Sequence, residues 1–180
     1  MDVEAWYQHV PPCVSLVDCS ALPAASPYPE DTLHVGVSGG QETARTYLAF
    51  SLSAIPSKGE LTGGTLTLPV DAEQGHGSFT PEQADMVACL VTAEFEAVRG
   101  SADAPPPTEC RAQAPAQFDA SSKAFTVDLS AFAGRLDGPR AALALLPTDA
   151  ALQARSSWHV AFKATQAQPP VPITAEYTYT

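Results

Sequence analysis

The stretch from Arg45 to Val70, RTYLAFSLSAIPSKGELTGGTLTLPV, constrains the fold more than any other part of the chain. Leu48, Phe50 and Leu52 alternate with Tyr47, Ala49 and Ser51, the period of two that sets one face of a β-strand against a core. Past Ile55-Pro56 and a turn at Lys58-Gly59, Leu66, Leu68 and Val70 alternate with Thr65, Thr67 and Pro69. The threonines are β-branched and polar, which suits a solvated sheet face. The segment predicts two strands joined by a turn-rich link, with Arg45, Tyr47 and Ala49 on the wet side, and an all-β fold.

The flanking sequence continues the pattern. Val3 to Gln8 reads as a first strand, and prolines 11, 12, 23, 27 and 29 keep His9 to Pro29 in loop. Thr32 to Ser38 is a strand with Leu33, Val35 and Val37 inward and His34 outward, and Gly39-Gly40 turns it tightly into the next. Asp71 to Pro81 is polar, with Gly75-His76-Gly77 at its tip. Met86 to Val98 reads as a strand and Arg99 to Ala116 as a long Pro/Ala loop. Further strands centre on Phe125 to Leu129, Ala141 to Leu146, Trp158 to Phe162 and Ile173 to Tyr179, and Ser130 caps a short helical turn. About nine strands without strand–helix alternation predict a two-sheet β-sandwich of jelly-roll topology with long Pro-rich loops, one domain over residues 1–180. Leu48, Phe50, Leu52, Leu66, Leu68, Val127, Leu145, Val160 and Phe162 are the expected core.

Charge narrows the partners. Nine basic against twenty acidic residues give a net charge of −11, a field that repels nucleic acid and anionic lipid. No apolar run is long enough to span a membrane, and no secretory signal is recognisable.

The four cysteines fall in no CxxC pattern: five residues separate Cys13 from Cys19, and twenty separate Cys89 from Cys110. Both pairs flank loops, so Cys13–Cys19 and Cys89–Cys110 are expected disulfides, and the chain is expected to be a piece excised from an exported protein.

Chemistry-bearing motifs are sparse. There is no GxSxG elbow, HxH or HExxH, and His9, His34, His76 and His159 are scattered, so an enzyme is not expected. No cofactor is expected. Calcium is the one metal considered, with Asp31 and Asp71 as candidate ligands beside Glu30 and Glu73, and Asp18 as a third loop carboxylate. Trp6, Tyr7 and Tyr28 are the aromatics expected to be exposed and able to stack on a sugar, whereas Trp158, Tyr177 and Tyr179 are expected in the core. Arg45 opens its strand within reach of Tyr47 and is expected to fork to a neighbouring carboxylate, or to contact a ligand.

RTYLAFSLSAIP followed by LTGGTLTLPV resembles the hallmark hairpin of the DNRLRE-domain family, with Ala49 and Ser51 where that hallmark has arginine and aspartate. EAWYQ, TLHVGVSGG, FTVDLSAFAGRL, WHVAFKA and ITAEYTY are similar, in order, to other segments of the family, so the resemblance spans nearly the whole chain. It implies a carbohydrate-binding-module-like jelly roll of exported bacterial proteins. The expected function is a non-catalytic module of a secreted or cell-surface protein that binds or presents polysaccharide. The alternative is a structural spacer or assembly subunit without a sugar ligand, packed against neighbouring domains of the same surface protein.

Overall fold

A computed structural model of the chain describes residues 1–9, 26–52, 60–136, 140–165 and 174–180. Eleven strands follow in chain order: β1 (Val3–Gln8), β2 (Thr32–Ser38), β3 (Gln41–Ser51), β4 (Leu61–Pro69), β5 (Met86–Val91), β6 (Arg99–Ser101), β7 (Thr108–Asp119), β8 (Ala124–Asp128), β9 (Arg140–Pro147), β10 (Trp158–Lys163) and β11 (Thr174–Tyr179). The fold is all-β. The one α-helix among the described residues, α1 (Asp149–Gln153), is a single turn capped by the Thr148 side chain.

The alternating residues of β3 and β4 face the core as the sequence predicts. All nine expected core residues are at most 3% exposed and belong to one apolar cluster. The β2–β3 hairpin turns on Gly39 and Gly40, at φ 58° and 82°, the left-handed pair that a two-residue turn of primed type requires.

Hydrogen bonds join all the strands into one sheet in the order β10-β2-β3-β9-β5-β7-β8-β4-β11, with β1 and β6 branching from β3. Along β3, residues 44–49 pair with β1, while residues 41–44 and 46–51 pair with β2 and β9 in turn. A strand has two edges, so β2 and β9 lie end to end on one of them and β1 takes the other. The sheet also folds over its own inner face. Phe125 of β8 meets Phe162 of β10 edge-on at 6.0 Å, and the segment after β4 is bridged to β10 through Val70–Phe162 and Phe79–His159.

Several local expectations are corrected. Residues 108–116, expected in a loop, belong to the longest strand, β7, because Ala112, Ala114 and Ala116 alternate inward with Arg111, Gln113 and Pro115 outward. Small side chains hide this alternation in a Pro/Ala-rich stretch. Pro115 is tolerated since pairing to β8 begins only at Ala116.

Tyr47 and Ala49, expected on a wet face, are 0% and 1% exposed. The chain between β5 and β7 folds back over them: Phe95 packs on Tyr47 at 5.6 Å, and the Tyr47 hydroxyl donates to the Pro106 carbonyl at 2.9 Å. A second apolar cluster, built on Ala5, Tyr7, Tyr47, Val87, Cys89, Ala144 and Leu146, therefore lies on the side away from the main core.

Tyr179 is 44% exposed on β11 rather than buried, because β11 pairs with β4 alone. The side chain of Tyr177 lies outside the described residues.

Cys89 and Cys110 form the expected disulfide. Cys89 pairs with Gln113 and Leu90 with Glu109, so Cys110, Arg111 and Ala112 are extra residues in β7 and the bridge spans this bulge. The expected Cys13–Cys19 bridge lies outside the described residues, as does Asp18.

Candidate functional site

Four segments bring aromatic rings together at one end of β2. Trp6 comes from β1, Tyr28 from the approach to β2, His34 from β2 and His159 from β10. Tyr28 stacks on His34 at 4.2 Å and 24°, and Trp6 meets His34 edge-on at 4.5 Å. His159 lies 5.1 Å from His34 and 5.2 Å from Tyr28.

Two glycines with left-handed backbone make this packing possible. A Cβ on Gly77 (φ 99°) would collide with the Tyr28 ring, and one on Gly100 (φ 65°) with the Trp6 indole.

Trp6, Tyr28 and His159 of this cluster line a cavity of about 400 Å³, with His34 behind them. Trp158 and the exposed ring of Phe79 extend the apolar lining, and Gln8, Ser38, Thr43 and Ser157 supply polar groups. None of the thirteen described lining residues is Asp, Glu, Lys or Arg. Thr43 enters through a bulge: Gly36 pairs with Ala44 and Val37 with Glu42, leaving Thr43 without an opposite residue.

The sequence expectations divide here. Trp6 and Tyr28 do meet, but Trp6 is 1% exposed, not an open platform. Tyr7 is also buried, edge-on to Tyr47 at 5.3 Å, on the far side of β1. Both are covered because β1 is held between β3 and β6 instead of lying at an edge.

Arg45 is on that far side as well. It forks to the Glu42 carboxylate through Nε and through Nη2, the latter at 2.8 Å, and its Nη1 reaches the Tyr47 hydroxyl at 3.4 Å. Burial works against its charge, but the bonds to Glu42 and Tyr47 outweigh that and hold the guanidinium above its ordinary value. It borders a smaller hollow of about 170 Å³ with Tyr7, Gln8 and Asp103. The fork to a carboxylate is as expected, and it leaves this guanidinium committed within the protein.

Sequence reasoning missed His34, His159 and Phe79. His34 was expected to face outward, yet it is 0% exposed because the rings of Trp6, Tyr28 and His159 cover that face of β2. Their hydrogen bonds form a chain. Thr32 Oγ1 lies 2.6 Å from the Pro29 carbonyl and 2.7 Å from His34 Nε2, and His34 Nδ1 lies 2.9 Å from His159 Nε2. Burial, with His159 and His76 adding to it, holds His34 down to about 3, and burial holds His159 down to about 4. Both rings are neutral at physiological pH.

Of the calcium candidates, Asp71 sits in a cluster and Asp31 does not. Ligand atoms of Asp71, Glu73 and His76 all lie within 4.8 Å of one another. Asp71 is buried rather than solvated: Oδ1 accepts from the Glu73 amide at 3.0 Å and Oδ2 pairs with His76 Nδ1 at 2.6 Å. Lys163 Nζ stands 3.3 Å from Glu73. Three side-chain ligands, one of them nitrogen and all already paired, do not fit the six to eight oxygens that calcium takes. Compared with known proteins, no family model matches the chain, and no curated protein matches it.

Proposed function

We propose that this protein is a non-catalytic extracellular module that binds a neutral carbohydrate in the aromatic cavity. The observation that carries the reading is the chemistry of the lining. Aromatic faces and hydroxyl or amide groups share one hollow of about 400 Å³, without a charged Asp, Glu, Lys or Arg, in a chain of net charge −11. A sugar ring has an apolar face for the aromatics and a rim of hydroxyls for the polar groups, and the volume falls within the ~300–1,000 Å³ of small-ligand sites. Phe79, 60% exposed, offers the open ring on which a sugar would stack. The Cys89–Cys110 disulfide, with Cys110 at the surface, supports an oxidising location. The resemblance to DNRLRE-domain proteins points the same way.

A flat multi-ring platform for a crystalline polysaccharide is absent among the described residues, since the only exposed large apolar side chains are Phe79 and Tyr179. The ligand is therefore a chain end or a short segment that enters a hollow. A glycan array with the purified chain tests this. Binding to one or more neutral glycans is expected, weakened about tenfold by Phe79→Ala at unchanged melting temperature, in line with the loss of one stacking ring. No binding across the array would sink the proposal in favour of the spacer reading.

A further inference from the structure

The chain of hydrogen bonds behind the cavity wall has only one way to place its protons. A carbonyl oxygen accepts and never donates, so the single Thr32 hydroxyl proton is committed to Pro29 at 2.6 Å. Thr32 Oγ1 must then accept from His34, which puts the ring proton on His34 Nε2. A neutral imidazole carries one proton, so His34 Nδ1 is an acceptor, and His159 must donate to it from Nε2. The proton of His159 is thereby used, and His159 Nδ1 is left with a bare lone pair. The depressed basicity of both rings, from burial, keeps this pattern intact at neutral pH.

Nothing among the described residues takes up that lone pair. Among the described residues the only hydrogen bond His159 makes through its ring is to His34, and Nδ1 is not among the fully buried atoms that lack a partner. Glycine permits this packing. A Cβ at Gly36 would collide with His159 Nδ1 and lie 2.7 Å from Thr43 Oγ1, so the two polar atoms occupy the place a side chain would take and sit side by side on Gly36. Thr43, the bulged residue, is likewise without a hydrogen bond through its hydroxyl, and both residues line the cavity.

We propose that the open lone pair of His159 Nδ1, beside Gly36 and the Thr43 hydroxyl, is the point at which the cavity reads its ligand, and that it selects a neutral molecule presenting an O–H or N–H donor over an anionic one. This rests on the cavity being the binding site. An acceptor disfavours a carboxylate brought against it, because two lone pairs would face each other in a partly desolvated space. The net charge of −11 adds a field of the same preference.

The first test needs no ligand. Imidazole ¹⁵N spectra of the full chain at pH 7 should show both His34 and His159 protonated at Nε2, with the Nδ1 of each bare. A proton on His159 Nδ1 overturns the inference whatever the cavity binds. The second test titrates cellobiose, maltose and mannobiose, with a uronic acid disaccharide as the anionic counterpart. A neutral disaccharide should shift the His159 Nδ1 resonance, bind at least tenfold more tightly than the acidic one, and weaken several-fold in Thr43→Val. Binding that leaves Nδ1 unmoved, or that favours the uronic acid, overturns the inference while the carbohydrate reading stands. Should none of the disaccharides bind, a neutral glycan that binds on the array takes their place, and only a blank array as well fails that reading. The inference then turns on glycerol, which must shift His159 Nδ1 in the wild-type chain and not in Gly36→Ala. An unshifted wild-type resonance overturns it, and so does an equal shift in a folded Gly36→Ala. If that variant does not fold, Thr43→Val takes its place and must show a reduced glycerol shift.

Discussion

His34 and His159 are held neutral by the fold, and the sign of the consequence follows from where each state binds its proton. In the unfolded chain each ring protonates near its ordinary value of 6.5, whereas in the folded chain they do so at about 3 and about 4. Between those limits the unfolded state binds more protons, so this contribution is fully present above pH 6.5 and is lost as the pH falls toward the folded values. His76 acts in the opposite direction. Its bond to Asp71 raises it, so its contribution is present at acid pH and lost as the pH rises through its folded value. That single ring works against two buried ones, so the melting temperature is expected to fall steadily from pH 6.5 to pH 4.5. A level or rising profile over that window would contradict neutral burial. Phe50, 3% exposed in the main core, is the simpler case. Phe50→Ala is expected to lose about 3–5 kcal/mol in a denaturant titration, and a loss under about 1 kcal/mol would place the ring outside the core. Phe50 was legible because alternation tells one face of a strand from the other. His34 was not, because alternation cannot say whether the second face is also covered, and its cover comes from the nearby loop residue Tyr28 and from Trp6 and His159 on other strands.

At the level of elements, the hydrophobic alternation of β3, β4, β8 and β10 and the Gly39-Gly40 turn could be read directly, since each is a local pattern. β7 could not, because alanine carries too little apolar area to stand out from the prolines and polar residues beside it. What the sequence did expose about this region was the Cys89–Cys110 pair, though not that it bridges a bulge between neighbouring strands. The bridge fixes the register on both sides of Cys110, Arg111 and Ala112. Replacing both cysteines by serine is expected to lower stability by about 3 kcal/mol in the chain-entropy model for a loop of this length, read from urea unfolding. Hydrogen exchange should quicken first in β7 around the bulge and in the facing part of β5. A uniform increase across the sheet would show that the bridge acts only on the unfolded chain.

For the molecule as a whole, the sequence disclosed the all-β class but not the sheet order, which depends on pairings between distant segments such as β2 with β10 and β4 with β11. The cavity is a product of that order. Trp6, Tyr28, His34, Phe79 and His159 converge only because β1 and β2 both border β3, and because the segment after β4 is bridged to β10. The same order has a consequence in time. β10 and β11, the last two of these eleven strands in chain order, stand at the two ends of the row, on β2 and on β4. During synthesis, everything between can assemble once residue 147 has emerged, yet β2 and β4 then still present unpaired backbone. The nascent chain thus passes through a stage in which β2 and β4 are sticky margins, covered only when β10 and β11 emerge. A chain stopped after Pro147 is expected to collect in aggregates, and adding back residues 148–165 should relieve this only in part, since β4 still waits for β11. A soluble, monomeric fragment ending at Pro147, measured by size-exclusion chromatography with light scattering, would show that those margins are already closed without their last two strands.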